Sequence, residues 1–139
     1  MTAASALPST LAIFPLEDAL LFPRGALPLH IFEPRYRQMV RDALDGPSMI
    51  GMIQPRGTGE PSPLFTIGCV GRIGEVSETP DGRFMLTLTG LHRFRVAEEL
   101  AVATPYRQVM ADYGGFADED DPAPLAPAMR AAVEHELAG

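Results

Sequence analysis

The chain contains no lysine: all 11 of its basic residues are arginine. A P-loop ATPase needs a glycine-rich loop ending in Gly-Lys-Ser/Thr, because the lysine reaches the terminal phosphates. That site is therefore excluded. Cysteine is almost as scarce. With Cys69 alone there is no internal disulfide, which fits a reducing compartment and makes the cytoplasm the expected location. No apolar stretch approaches the roughly 20 residues that span a bilayer. The start, MTAASALPSTLAIF, lacks a basic opening and a clean apolar run before a cleavage site, so it does not read as a signal peptide. His30, His92 and His135 are scattered, and none has a cysteine or second histidine at metal-ligand spacing, so no metal site is expected.

What is present suits one soluble domain. At 139 residues, with 46% hydrophobic and 21% charged residues, the chain can build a core without disulfides or metal. The net charge of -7 is unevenly spread. Residues 117–139 hold Asp118, Glu119, Asp120, Asp121, Glu134 and Glu136 against Arg130 alone, so the preceding part is nearly balanced. This divides the chain into a domain over residues 1–116 and an acidic, proline-rich connector with a short helix over 117–139. In the latter, Met129, Val133 and Leu137 share one helical face.

The most informative run is Leu20–Val40, LLFPRGALPLHIFEPRYRQMV. It reads as an apolar strand pattern, a Pro-Arg turn, a second strand and a helix. Leu27, Leu29 and Ile31 alternate with Pro28, His30 and Phe32, as in a strand with one face on a core. Pro28 cannot donate to a ladder, which places this strand at an edge. Glu33-Pro34 opens the helix, with proline at its first position and a carboxylate at its positive pole. Tyr36, Met39, Val40, Ala43 and Leu44 recur on one face, and Gly46-Pro47 closes the helix with glycine as a left-handed cap.

Beyond the helix the pattern is mainly β. Met49–Ile53 is a short strand, Gln54–Pro63 a polar loop, and Leu64–Val76 a strand whose Gly68, Gly71 and Gly74 suggest bulges or bends. That glycine spacing does not match a dinucleotide fingerprint. Pro80-Asp81-Gly82 is a turn. Phe84, Leu86 and Leu88 alternate with Met85, Thr87 and Thr89. Gly90 breaks this alternation before His92, Phe94 and Val96 resume it, and a last strand covers about Tyr106–Tyr113. Short strands with one interposed helix argue for a compact β-barrel-like domain.

Pro15–Glu17 and the Leu20–Val40 run carry a resemblance. It extends in order through Ile67-Gly68-Cys69-Val70, Ile73, Pro80-Asp81-Gly82-Arg83, Gly90-Leu91-His92-Arg93-Phe94-Arg95 and Pro105-Tyr106. Over about residues 11 to 113 the chain resembles the Lon amino-terminal, or substrate-binding, domain. It looks most like the bacterial family in which that domain stands without the ATPase and protease. The resemblance implies a mainly β, PUA-like pseudo-β-barrel with one amphipathic helix, followed by the start of a helical segment. The tail is then either the first piece of a helical bundle or a single helix docked on the barrel. Lon's protease resembles a serine hydrolase whose serine is activated by lysine, and a chain without lysine cannot form that dyad.

The expected function is non-catalytic, with no cofactor: the resemblance implies binding of unfolded or degron-bearing polypeptides, alone or with a separate protease or chaperone partner. An edge strand can accept an extended peptide, and apolar pockets can take its alternate side chains. The long Gln54–Pro63 loop leads into an apolar lip of Pro63, Leu64 and Phe65, with Met52 nearby, and these four are the candidate peptide-binding residues. Seven methionines suit an adaptable binder, although Met39, Met52 and Met85 sit in core-like patterns. Pro28, Phe32, Pro34 and Tyr36 are read as holding the fold. Arg35, Arg37, Arg41, Arg93 and Arg95, near Tyr36 and Phe94, raise an RNA-binding alternative. A sequence pI near 4.8 argues against nucleic acid and favours ion pairs with Glu33, Glu75 or a helix-end carbonyl. An enzyme would need Cys69 or a histidine beside a carboxylate in a cleft. Cys69 reads instead as a buried small hydrophobe and His30 as a hydrogen-bonded barrel histidine.

Overall fold

A computed structural model of the chain describes residues 7–59 and 61–116. Six strands and one helix follow in the order β1 (Thr10–Pro15), β2 (Ala26–Ile31), α1 (Pro34–Leu44), β3 (Met49–Ile53), β4 (Ile67–Glu78), β5 (Phe84–Glu99) and β6 (Gln108–Asp112). The sheet order is β2-β5-β4-β3-β1-β6, and a further β5–β6 pairing closes five of the strands into a ring. Among the described strands only β1 and β3 pair in parallel. Closure depends on the length of β5. Its first half pairs β2 on one side and β4 on the other, whereas its last residues pair β6. The fold is thus the pseudo-barrel with one amphipathic helix, and the expected tail helix at Met129–Leu137 lies outside the described residues.

Two apolar clusters lie on opposite faces of β3, which is buried along its whole length. Met49 and Ile53 point into the barrel, where Leu11, Ile13, Val70, Phe94 and Val109 complete a cluster fed by all five ring strands. Ile50 and Met52 point the other way, into a larger cluster that includes Tyr36, Met39, Val40 and Ala43 of α1. Phe94 fills the barrel, and two glycines make room for it. A Cβ on Gly51 would stand 2.9 Å from the Phe94 ring, and one on Gly68 would stand 2.8 Å from it.

Several local readings change. Leu20–Phe22 is not a strand; the strand before β2 is Thr10–Pro15. Leu20–Gly25 instead lies across the sheet, with Arg24 N–H donating to the Gly90 carbonyl and Gly90 N–H to the Gly25 carbonyl, each at 2.8 Å. Gly90 does not interrupt β5. The shift falls beside it, since Gly90 pairs Gly71 and His92 pairs Val70, leaving Leu91 as an extra bulge residue. The helix closes without left-handed glycine: Ser48 carries the positive φ of 63°, and its N–H reaches back to Ala43 O at 2.8 Å. Leu44 is exposed rather than part of the buried face. Pro28 does lie on an edge strand, for β2 pairs β5 alone.

Candidate functional site

The segment between β1 and β2 covers the outer sheet face only in part. Leu21 packs over Gly71, where an added Cβ would meet it at 2.8 Å. Gln54 at the end of β3 fixes the start of the segment, its Nε2 donating to the Ala19 carbonyl at 2.7 Å. Between Ala19–Phe22 and the beginning of β4 a groove of about 220 Å³ remains open. Met52, Gly68 and Cys69 form its floor, Ile67 and Arg93 its far side.

Strand register explains this composition. Directly opposed residues on an antiparallel pair share a face. Cys69 is opposed by Met52 on β3 and by Arg93 on β5, and Ile67 is opposed by Arg95. These side chains therefore stand on the outer face, while Gly68 and Val70 turn towards the barrel. Met52 and Cys69 are each only 3% exposed, so they give the groove an apolar base. Ile67, at 42%, is a bulky apolar side chain left in water at the rim. Phe65, two residues upstream, is 52% exposed, and the Arg56 guanidinium lies 5.9 Å from its ring centroid.

The four candidate residues are thus separated. Met52 is floor rather than lip. Pro63 is exposed but does not line the groove. Leu64 pairs with Pro55 in an isolated bridge and packs against the inner barrel cluster, so it is half-buried. Phe65 is the one large hydrophobic side chain of the lip that is exposed. The Gln54–Pro63 loop is a small hairpin at its base, with Arg56 N–H on Pro63 O at 2.7 Å and Phe65 N–H on Gln54 O at 3.1 Å. Sequence reasoning singled out Arg93 only for RNA or an ion pair and Ile67 only as a motif residue, and it placed neither at a peptide groove. The signal was available in the Ile67/Cys69 alternation, which places Ile67 on the face of the groove.

A second exposed apolar surface follows β2. Phe32 is 57% exposed and does not join the core as expected, although Tyr36 does, its ring 4.3 Å from that of Phe14. Met85 is also exposed, because it shares the face of Thr87 and Thr89 rather than that of Phe84 and Leu86. Depressions of about 350 and 210 Å³ flank this strand. His30 lies at the surface instead of inside the barrel, its Nε2 3.2 Å from Arg83 Nη1 and its ring beside Phe32.

No group of three or more His, Cys, Asp or Glu side chains among the described residues is arranged to hold a metal ion. Cys69 is buried and in no disulfide, its Sγ 3.6 Å from the Val70 carbonyl oxygen. Of the candidate arginines, Arg35 pairs with Glu33 at 3.2 Å, and Arg37 donates to the Asp81 carbonyl at 3.1 Å. Asp81 is held below the usual carboxylate range by hydrogen bonds from Thr79 first and Arg83 second. No helix among the described residues is long and apolar enough to cross a membrane.

Comparison with known proteins places this architecture. A family model described as the ATP-dependent protease La (LON) substrate-binding domain matches residues 10–136. Lon protease 2 of Myxococcus xanthus is 33% identical over 110 residues, covering 76% of this chain and 13% of the relative. Lon protease of Parabacteroides distasonis is 35% identical over 101 residues, covering 70% and 12% respectively. The chain therefore spans about an eighth of the length of these curated relatives. Among solved structures, a Lon N-terminal domain protein from Xanthomonas campestris matches with TM-score 0.62 at 27% identity, covering 76% of this chain and 60% of that one. The N-terminal domain of a Mycobacterium avium complex Lon protease shares the fold, with TM-score 0.56 at 13% identity, covering 75% and 54%.

Proposed function

From the premise that this chain belongs to the ATP-dependent protease La (LON) substrate-binding domain family, we propose that it is a non-catalytic module that binds unfolded polypeptide segments in the groove beside Ile67. One observation carries the choice of site: Ile67 and Phe65 are left exposed beside a groove with a buried Met52 and Cys69 floor. Covering a half-exposed Phe or Ile contributes on the order of 1 kcal/mol, which favours bulky apolar side chains without fixing their order. Such a site tolerates many sequences, as recognition of unfolded chains requires. Chemistry on the bound segment is left to a partner, since neither a P-loop lysine nor a serine–lysine dyad can form here.

The test is fluorescence anisotropy of a labelled, permanently unfolded polypeptide titrated with the full chain. Saturable binding that weakens about tenfold in Phe65→Ser/Ile67→Ser supports the reading. Binding that is absent, or indifferent to both substitutions, refutes it.

A further inference from the structure

Arginines stand in and around the groove although the chain is acidic: Arg93 lines it, and Arg56 and Arg95 lie nearby. We infer that the domain prefers extended segments in which carboxylates alternate with bulky apolar side chains, a preference that rests on the reading of the groove as a polypeptide site. Among the described residues lining the groove, Arg93 alone is charged. Arg95 stands opposite Ile67 on the same sheet face, and Arg56 stands beside Phe65. Arg56 and Arg95 each lie against an aromatic ring, at 5.9 Å from Phe65 and 5.4 Å from Phe116; among the described residues neither has a carboxylate oxygen within 4 Å, although Asp112 of β6 is the cross-strand neighbour of Arg95.

The spacing suits an extended ligand. Arg93 and Arg95 are two residues apart on one strand, so their side chains leave the sheet roughly 7 Å apart. Side chains at alternate positions of an extended peptide repeat at the same distance. A segment lying along β4 and β5 can thus set apolar groups over Ile67 and the Met52/Cys69 floor while its carboxylates meet these guanidinium groups.

The chain's overall charge of -7 would repel such a peptide at long range. At physiological salt that field fades beyond about 8 Å, whereas these arginines act in contact. The same charge disfavours a nucleic acid, whose affinity comes from many phosphate contacts at once.

Three labelled peptides of about 12 residues, identical in their Leu and Phe positions, carry Asp, Gln or Lys at the alternate sites. Each is titrated with the full chain at about 0.05 M and about 0.5 M salt. The Asp peptide is expected to bind about tenfold tighter than the Lys peptide at low salt, with the two converging at high salt. Arg56→Gln and Arg95→Gln should each narrow that ratio, and thermal melts confirm that both variants fold. Equal affinity for all three peptides overturns the charge preference and leaves polypeptide binding standing. Binding of none of them overturns both. Tighter binding of an oligouridylate than of the Asp peptide overturns the inference in favour of nucleic acid. Binding seen only after Asp118, Glu119, Asp120 and Asp121 are changed to Asn or Gln assigns the groove to the chain's own acidic stretch, and also overturns it.

Discussion

Tyr106 and Asp42 join the approach to β6 to the helix, the phenol donating to Asp42 Oδ2 at 2.5 Å across 64 positions of sequence. Asp42 also accepts from Gln38 Nε2 at 2.8 Å, so its carboxylate is held from two sides. Burial first, and then the hydrogen bond to Asp42, push the Tyr106 hydroxyl up to about 12. Its proton is held more tightly in the folded chain than in the unfolded one. The resulting stabilisation is complete below the ordinary value of 10.0 and is lost as pH rises through about 12.

Tyr106→Phe should therefore lower stability by about 1 kcal/mol at neutral pH, the usual net cost of losing a hydrogen bond, because water reaches the exposed Asp42 acceptor. Urea unfolding at a series of alkaline pH values checks both points. The variant should lose less stability than the parent on the alkaline limb. It will not be flat there, because partial burial also raises the Tyr113 hydroxyl to about 12.

Gly90 and Gly74 make a paired prediction. A Cβ on Gly90 would fall 2.0 Å from the Phe22 carbonyl oxygen, whereas on Gly74 its nearest neighbour is Thr87 O at 3.9 Å. Gly90→Ala must displace the segment that walls the groove, and should cost more than about 3 kcal/mol or prevent folding. Gly74→Ala should change stability by less than about 1 kcal/mol. Urea midpoints of the two variants decide it.

Glu99 and Arg107 form a two-pronged pair, with Nε on Oε2 at 2.7 Å and Nη2 on Oε1 at 2.8 Å. Arg107 holds the Glu99 carboxyl below its ordinary value, chiefly by hydrogen bonding. A lowered folded value gives stability above the ordinary carboxylate range that is lost as pH falls through the lowered one. Glu99 is partly exposed, so water screens the pair, and Glu99→Gln should cost no more than about 1 kcal/mol at neutral pH. The parent should lose more stability on acidification than the variant, as unfolding at about pH 3 and pH 7 will show.

Phe65→Ser and Ile67→Ser should change stability little, within about 1 kcal/mol each, because both side chains already lie substantially in water. Thermal melts would show this. Leu64→Ser should cost clearly more, since Leu64 packs on the inner barrel cluster.

The helix and the edge strand were legible because local chemistry decides them. Glu33-Pro34 starts α1 at Pro34, and Pro28 withholds a donor from β2. Pairings between distant segments were not legible. The parallel β1–β3 contact and the β5–β6 closure depend on which strands meet in space, and no short motif encodes that. The glycines of β4 correctly pointed to bulges, but the motif Leu20–Gly25 acquired its role only once Gly71 and Gly90 were seen beneath it. Likewise Met85 looked like core by composition, although its alternation with Phe84 and Leu86 places it outside. At the candidate site, Met52 and Phe65 were picked out by apolarity alone, and only strand register distinguished floor from rim.

The most direct test is an amide-resolved NMR titration of the full chain with an unfolded polypeptide. Saturable shifts concentrated at Leu20–Phe22, Met52 and Phe65–Cys69 are the predicted result. Shifts concentrated instead along Pro28–Phe32 and Met85, or no saturable shifts at all, would contradict the assignment of the groove.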